Sequence, residues 1–206
     1  MRVSHLVTAL LAGSLGWAPS LAAQQQPGAP KGLEVVPSPG IRQGAWGNFG
    51  LGVGSETFSA PNLAVDPGWL ARPTLDMRGG GTMNSHFRLG GELISWFNSE
   101  GTVSQTLGGF GLVGQIYPSP TLGFFLKGGG GYAWNAFSDN YYYYGYSISY
   151  DSGWLWTAGA GWEIPMNKKL NLVPAVDYYS FSFGGRSTQD YTEKLWNYSL
   201  AIQIHQ

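Results

Sequence analysis

Charged and amide side chains occupy alternate positions within stretches that are otherwise apolar or rich in glycine. They are Asp76, Arg78, Arg88, Glu92, Gln115, Lys127, Glu163 and Asp177. Because successive side chains of a β-strand point to opposite faces, these groups share the face opposite to the neighbouring large apolar residues. Buried lone charges are costly, so they should pair as ion and hydrogen-bond clusters. Such clusters can act as a polar plug that sets strand register, or as a gated path for protons or ions; we expect the plug.

Other residue types that carry chemistry do not assemble into a recognisable site. His86 and His205 lack a matched serine and carboxylate for a hydrolytic triad, and they are too far apart in sequence for a convincing metal site. The glycine run Gly128–Gly131 precedes no helix and no Lys-Ser/Thr pair, so it is not a phosphate loop. The chain contains no cysteine. We therefore predict no catalytic residue, no metal and no cofactor.

The stretch Trp154–Tyr178 shows the elements that would position the inner groups. Its first half, Trp154–Ile164, places tryptophan, alanine and isoleucine on one parity and small or polar residues on the other. Its second half, Leu170–Tyr178, repeats this alternation after five polar or turn-forming residues. The pattern predicts a β-hairpin with one oily face. Aromatic residues at the ends of that face, with smaller apolar residues between them, suit a lipid bilayer better than a water-facing surface.

Eight such alternating runs follow one another from Trp46 to the end of the chain. The connections between them are predicted to alternate long and short, with long ones at Ser55–Ala71, Ala136–Asp151 and Ser182–Asp190. This arrangement predicts an all-β fold, an eight-stranded antiparallel up-and-down transmembrane β-barrel over residues 43–206, with short periplasmic turns and longer outer loops. A barrel of eight strands is just wide enough for side chains to fill it, so we expect no wide aqueous pore.

Six large aromatic residues are predicted to form the interfacial girdle of this barrel. They are Trp46, Phe97, Trp134, Trp154, Trp162 and Trp196. The tyrosines of Tyr141–Tyr144, with Tyr146 and Tyr150, stand in the third long connection. Tyrosine offers a large rigid contact area with a polar tip, so an adhesive loop is one interpretation. We favour the other, in which these rings extend the girdle or order a hairpin beyond the membrane.

The first residues have the pattern of an export signal. Arg2 precedes the apolar run Leu6–Trp17, and Leu21-Ala22-Ala23 supplies the small residues of a cleavage site near Ala23. Residues 1–23 are thus predicted to be a signal peptide and residues 24–42, rich in Gln, Pro and Gly, a flexible periplasmic lead-in. With a formal net charge of −1, nothing in the chain indicates a nucleic-acid partner.

The signal, the alternating runs and the aromatic last strand resemble the small eight-stranded outer-membrane barrels of the OmpA transmembrane-domain and OmpX-like group. The segments Gly47–Gly54 and Leu122–Gly129 are similar to porin-like outer-membrane barrels of Gram-negative bacteria. The resemblance covers about residues 44–206. It implies a location in the outer membrane and insertion by the barrel-assembly machinery, which reads the last strand. This chain departs from the usual aromatic end, since it finishes with His205 and Gln206.

We therefore expect a non-enzymatic outer-membrane protein acting in surface structure, adhesion or envelope integrity. The expected partners are outer-membrane lipids and lipopolysaccharide, the assembly machinery, and a surface ligand at the three long connections. Alternatives are an outer-leaflet lipid-modifying enzyme of the lipid A deacylase or palmitoyltransferase type, and a narrow porin for small solutes. A soluble carrier of the lipocalin type is a further alternative, but it would need an apolar interior and a polar exterior.

Overall fold

The structure is a computed structural model, and it describes residues 42–59, 70–141, 145–184 and 190–205, with the side chains of residues 139–148 excepted. The predicted signal peptide and the predicted lead-in up to residue 41 lie outside the described residues. The strands are β1 Ala45–Ser59, β2 Leu70–Asn84, β3 Phe87–Glu100, β4 Val103–Ile116, β5 Phe124–Tyr141, β6 Gly145–Trp162, β7 Ile164–Pro165, β8 Leu170–Phe183 and β9 Tyr191–His205. Within this part of the chain, no helix has the length and apolar character needed to cross a membrane.

All strands form one antiparallel sheet in which β1 pairs with both β2 and β9, and β6 pairs with β8, so that the sheet closes on itself. The two-residue β7 continues β6, because the register that places Gly161 opposite Ala175 also places Ile164 opposite Leu172. Between these pairs lies Pro174, which has no N–H to donate and therefore interrupts the ladder. The predicted eight-stranded up-and-down barrel is thus confirmed.

The stagger of the strands determines how wide the barrel is. Following the paired residues once around from Ser55 through β9, β8, β6, β5, β4, β3 and β2 leads back to β1 at Ala45, ten residues away. Ten residues of stagger over eight strands correspond to a strand tilt of about 40° and a backbone radius of about 8 Å. An interior of that size holds side chains and little else.

The predicted alternation of long and short connections is wrong at one place. Strands β3 and β4, whose connection at 98–103 the sequence already marks as short and polar, are joined only by Gly101 and Thr102, at the end of the barrel where the alternation requires a longer connection. Residues 117–123 at the opposite end form a longer connection. Polar residues such as Ser99 and Ser104 pair across the strands here, and Gly101 adopts a φ of 59°, which glycine tolerates without a side-chain clash. The polar stretch is therefore the part of strands β3 and β4 that extends past the apolar band.

The Tyr-rich connection is also shorter than predicted. Backbone pairing between β5 and β6 continues from Asn135 opposite Asp151 to Tyr141 opposite Gly145, so most of Ala136–Asp151 is a hairpin extension. Tyrosine and isoleucine are favoured on a pleated sheet, which explains why the strands continue. The expected first and last outer connections likewise shrink to residues 60–69 and 184–190. The side chains of Tyr141–Tyr144 and Tyr146 lie outside the described residues, as do residues 60–69 and 185–189.

Candidate functional site

The outer surface of the barrel is apolar between two levels of aromatic side chains. Trp154 is 77% exposed at one level and Trp162 is 46% exposed at the other. These residues are eight positions apart on β6, which at the observed tilt corresponds to about 20 Å along the barrel axis. Rings also contact one another around the first level, where Tyr178 packs against both Trp156 and Trp196. Such a band matches the apolar belt of outer-membrane barrels.

Five of the six predicted girdle residues face outward. Phe97, Trp154, Trp162 and Trp196 are exposed, and Trp134 is half-buried on the outward face. The prediction is wrong for Trp46, which is only 4% exposed and lies inside the barrel, with its ring 5.5 Å from the Arg88 guanidinium. Trp46 shares the parity of the buried Asn48, so strand alternation itself assigns it to the interior.

The structure places all eight predicted inner residues inside the barrel, where each is at most 5% exposed. Five of them form a central cluster, with Arg78 and Lys127 as the cations. Arg78 Nε donates a hydrogen bond to Glu92 at 2.8 Å, and the same guanidinium also contacts Asp177. Lys127 contacts Glu92 and lies 2.9 Å from Asp177, while Asp76 is 3.4 Å from Arg78.

A tyrosine that sequence alternation did not single out completes the central cluster. The Tyr179 hydroxyl donates to Glu92 at 2.9 Å and lies 3.2 Å from Lys127 Nζ. Within the described residues, three carboxylates therefore share two cations and one hydroxyl. Arg78 and Lys127 each contact both Glu92 and Asp177, so the cluster ties β2, β3, β5 and β8 together, while Asp76 pairs with Arg78 on its own strand.

The other three predicted residues meet at the end of the barrel that carries the Ser85-His86 turn. There Glu163 accepts hydrogen bonds from Arg88, from the Tyr117 hydroxyl at 2.7 Å and from Gln203 at 2.9 Å. Gln115 Oε1 also lies 3.0 Å from the oxygen of the Tyr117 hydroxyl. We call this group the inner-end cluster.

The inner-end cluster also holds Arg42, a residue that the sequence prediction placed in the flexible lead-in. Arg42 Nε donates to Glu163 at 3.1 Å, its guanidinium also bonds the carbonyls of Pro120 and Leu122, and it stacks 3.7 Å from the Tyr117 ring centre. Arg42 is only 6% exposed. It precedes β1, so strand alternation could not assign it to a face.

An apolar layer fills the interior on the other side of the central cluster. Its buried members are Ile94, Trp96, Leu107, Ala133, Leu155, Tyr179, Phe181, Phe183 and Leu195. Trp96 also donates its indole N–H to the Gly54 carbonyl at 3.1 Å, so its one polar group is satisfied. The sequence reasoning expected rings to face outward and missed this layer, although Ile94 and Trp96 share the parity of Glu92. From the inner end up to this layer, the interior therefore contains two polar clusters and one large apolar layer, and a smaller apolar group is formed by Tyr117, Phe125, Val173 and Ala201.

Beyond the apolar layer lies the outer mouth, a polar group made of Glu56, Gln105, Asn135 and Glu193. Glu193 accepts from Asn135 Nδ2 at 2.7 Å, and Gln105 Nε2 lies 3.3 Å from Asn135 Oδ1. Glu193 lies three residues beyond Trp196 and Glu56 is opposite Leu195, so both are on the far side of the aromatic level. Burial and then the neighbouring Glu56 carboxylate raise the pKa of Glu193 to about 8, and burial raises the pKa of Glu56 to about 7.

The described residues contain no group of three or more His, Cys, Asp or Glu side chains that could hold a metal ion. His86 lies in the exposed turn at the inner end, with Nδ1 3.1 Å from Ser85 Oγ, and His205 ends β9 at the same end. With ionic groups inside and apolar groups outside, the barrel has the reverse of the polarity that a soluble carrier needs.

Solved structures with the same fold include bacterial surface proteins. The chain is similar to Neisserial surface protein A (NspA), with a TM-score of 0.56 and 12% identity over 78% of this chain and 96% of that one. It is also similar to Ail, the attachment invasion locus protein of Yersinia pestis, in complex with the heparin analogue sucrose octasulfate, with a TM-score of 0.52 and 8% identity over 78% of this chain and 99% of that one. No family model and no curated protein sequence matches the chain. The chain has the fold of the small eight-stranded outer-membrane barrels.

Proposed function

We propose that this protein is a non-enzymatic barrel of the bacterial outer membrane that acts through the surface it presents to the outside, in adhesion or envelope integrity. Its exterior band suits the hydrocarbon core of a bilayer, and its aromatic levels suit the two interfaces. The signal-like residues 1–23 fit export, with the inner end facing the periplasm. The lipids and lipopolysaccharide of that membrane would then be its immediate neighbours.

The closed interior is the observation that carries this proposal. Three layers, the inner-end cluster, the central cluster and the apolar layer, fill a tube of about 8 Å backbone radius. A narrow porin would need a continuous wet path, and the apolar layer interrupts it. Because the interior is closed, the function would lie at the outer rim, where the β5–β6 hairpin extends past the apolar band.

The first experiment tests the closed interior. The purified protein in a planar lipid bilayer should show no stable conductance steps, and liposomes containing it should not swell in small sugars. Heat-modifiable gel migration should establish that the barrel is folded in both preparations. Regular conductance steps from a folded sample would favour the narrow porin instead.

The second experiment tests the outer surface. Residues 139–147 can be replaced by Asn-Gly, because Ser138 and Ile148 are paired and a two-residue type I′ turn can join them. The matched control replaces Ser85-His86 with Asn-Gly at the opposite end of the barrel. We expect loss of attachment of cells to host surfaces only in the hairpin variant. Unchanged attachment in that variant and in deletions within 60–69 and 185–189 would exclude an adhesive role.

The alternative of an outer-leaflet lipid enzyme is tested separately. Both described histidines lie at the inner end, away from the lipid surface where such an enzyme would need them. The name of Ail, an attachment protein of the same fold, also favours contact over catalysis. Mass spectra of lipid A from cells with and without the protein should be identical. A change in acyl number would establish the enzyme.

A further inference from the structure

Two carboxylic acids of the outer mouth are neighbours on adjacent strands. Phe58 of β1 pairs with Glu193 of β9, and Glu56 pairs with Leu195, so Glu56 and Glu193 are diagonal neighbours on the inward face. Diagonal neighbours across antiparallel strands are about 7–8 Å apart, and their Cβ atoms are somewhat closer. Two glutamate side chains at that separation can enclose one small group between their carboxyls. Both are almost fully buried, Glu56 at 6% and Glu193 at 1% exposure.

Each of these carboxyls has an oxygen without a partner. Asn135 donates to Glu193 Oε1, but Glu193 Oε2 and Glu56 Oε1 are buried and accept no hydrogen bond. Glu56 forms neither a hydrogen bond nor an ion pair with any described residue. A buried acceptor left in this state loses its hydration without compensation. Asp76, Glu92 and Asp177 of the central cluster also have buried oxygens without a hydrogen bond, but each has a cation within 4 Å, and the mouth pair has none among the described residues.

The described basic side chains near the mouth either have other partners or face outward. Arg72 of β2 bonds Asn98 at 2.7 Å and forms an ion pair with Glu100 at 2.8 Å. Lys194 follows Glu193 in sequence and therefore lies on the outward face of β9. The other titratable groups nearby are Asp151 and Tyr191, which bond each other at 2.7 Å. In the central cluster, by contrast, every carboxylate lies within 4 Å of a basic side chain.

We propose that the outer mouth binds an organic cation with N–H donors, a primary ammonium or guanidinium group, between Glu56 and Glu193. An N–H donor needs only one acceptor, and it can use Glu56 Oε1 and Glu193 Oε2 without displacing Asn135. The same two residues are too few to surround a divalent metal ion. Leu107, Phe181 and Leu195 form an apolar floor beneath the site, which separates its guest from the carboxylates of the central cluster.

The proposal requires a specific pH dependence. Without a guest, burial keeps the pKa of Glu193 near 8 and that of Glu56 near 7, so both carboxyls are largely protonated at pH 6. The guest favours the ionised carboxylates, so its affinity should increase as the pH rises from 6 to 8.5, and binding should release protons. Within the described residues, the groups facing this pair are Asn135 and Gln105, which do not titrate, and Asp151 and Tyr191.

Agmatine, which carries a guanidinium at one end and an ammonium at the other, is the probe for this site. Calorimetry on the full folded protein in detergent should detect binding at pH 8.5 and at least tenfold weaker binding at pH 6. The double variant Glu56→Gln, Glu193→Gln should weaken binding at pH 8.5 at least tenfold. The matched control Glu100→Gln removes one carboxylate from the exposed rim and should leave binding unchanged. Tetramethylammonium, a cation without N–H donors, should bind at least tenfold more weakly than agmatine.

Two further measurements keep the outcome interpretable. Heat-modifiable migration checks that each variant is folded, and the single variants Glu56→Gln and Glu193→Gln should each show an intermediate loss. Arg186 is the one basic residue in the sequence of residues 184–190, so the variant Arg186→Gln tests whether the guest is the chain itself. If agmatine binds the Arg186→Gln variant but not the unaltered protein, Arg186 itself occupies the site, and the proposal of an external ligand is wrong. Equal binding by the double variant, or no binding at pH 8.5, would overturn the site itself.

Discussion

Buried carboxylates are paired with cations at one end of the barrel interior and lack described cations at the other. At the inner end and in the centre, every carboxylate contacts an arginine or lysine, which for all but Asp76 comes from another strand or from the chain before β1, and tyrosine and glutamine side chains supply further hydrogen bonds. At the outer mouth, two glutamates meet with amide and carboxyl neighbours but without a cation among the described residues. The first arrangement is a cross-link between strands. The second leaves acceptors for something that comes from outside.

The apolar layer is what allows this difference to persist. It separates the central carboxylates from the mouth by a set of fully buried aliphatic and aromatic side chains. Charges on its two sides cannot exchange partners, because an ionic group would have to cross an apolar environment at high cost. The comparison therefore predicts large losses when a central partner is removed and smaller ones toward the ends.

The largest effect is expected for Arg78→Leu. This change leaves Asp76, Glu92 and Asp177 buried with Lys127 as the only remaining cation of the cluster, so unfolding should become easier by about 3–5 kcal/mol. Urea titration followed by gel mobility in folded and unfolded forms measures the difference.

Arg72→Ala is the matched control for Arg78→Leu. It removes an ion pair whose glutamate, Glu100, is 67% exposed, and should cost about 0–1 kcal/mol. Equal losses in the two variants would show that the central cluster contributes no more to stability than an exposed ion pair does.

Trp96→Ala should cost nearly as much, about 3–4 kcal/mol, because it leaves a cavity in the apolar layer and the Gly54 carbonyl without its donor. The same variant also tests how the two ends are separated, because it removes part of the apolar layer between them. Planar-bilayer recordings of the folded variant should show ion leakage that the unaltered protein lacks. A stable, silent variant would mean that the two ionic layers alone close the barrel.

Arg42→Ala should have a moderate effect of about 1–3 kcal/mol. Glu163 would keep Arg88, Tyr117 and Gln203 as partners, so the carboxylate is not left alone. Arg42→Lys is the companion variant; it keeps the charge but loses the bonds to the carbonyls of Pro120 and Leu122 and the stacking on Tyr117. Chemical denaturation should rank the unaltered protein first, then the lysine variant, then the alanine variant. Indistinguishable midpoints would show that the arginine does not anchor the chain before β1.

The last prediction is a change in pH dependence at the outer mouth rather than a loss of stability at one pH. Glu193 has a pKa near 8 in the folded protein, against an ordinary value of 4.5, so the folded state binds more protons than the unfolded state between these values. Its contribution to stability therefore decreases as the pH rises from about 4.5 to about 8. Glu193→Gln removes this titration, and the decrease in stability between pH 5 and pH 9 should become shallower. Parallel pH profiles for the two proteins would contradict a buried, protonated Glu193.

Alternation in the sequence was sufficient to identify the fold and to place Arg78, Glu92 and Glu163 on the inner face, because the two-residue period of a strand assigns every side chain to a face. The same rule applied to Trp46 would have placed it inside, and treating it as a girdle residue because it is a tryptophan was the error. Residue type is a weaker guide than parity when a barrel has both an apolar exterior and an apolar layer within.

Other features could not be derived from alternation. Arg42 precedes the first strand and acquires its place only because the closed barrel brings Glu163, Pro120 and Leu122 together around it. The mouth pair Glu56 and Glu193 comes from opposite ends of the chain and meets only because β1 pairs with β9.

The amino-acid sequence by itself determined that the strands alternate, that the outward face is apolar and that the inner face carries ionic groups, since these are local properties of neighbouring residues. Only the tertiary structure decided which charges share a layer, where the apolar layer interrupts them and which carboxyls remain without a cation among the described residues. The physical reason is the stagger of ten residues around the barrel, which sets the height of every inner side chain relative to those on other strands. Register is a property of the closed sheet and cannot be read from any one strand.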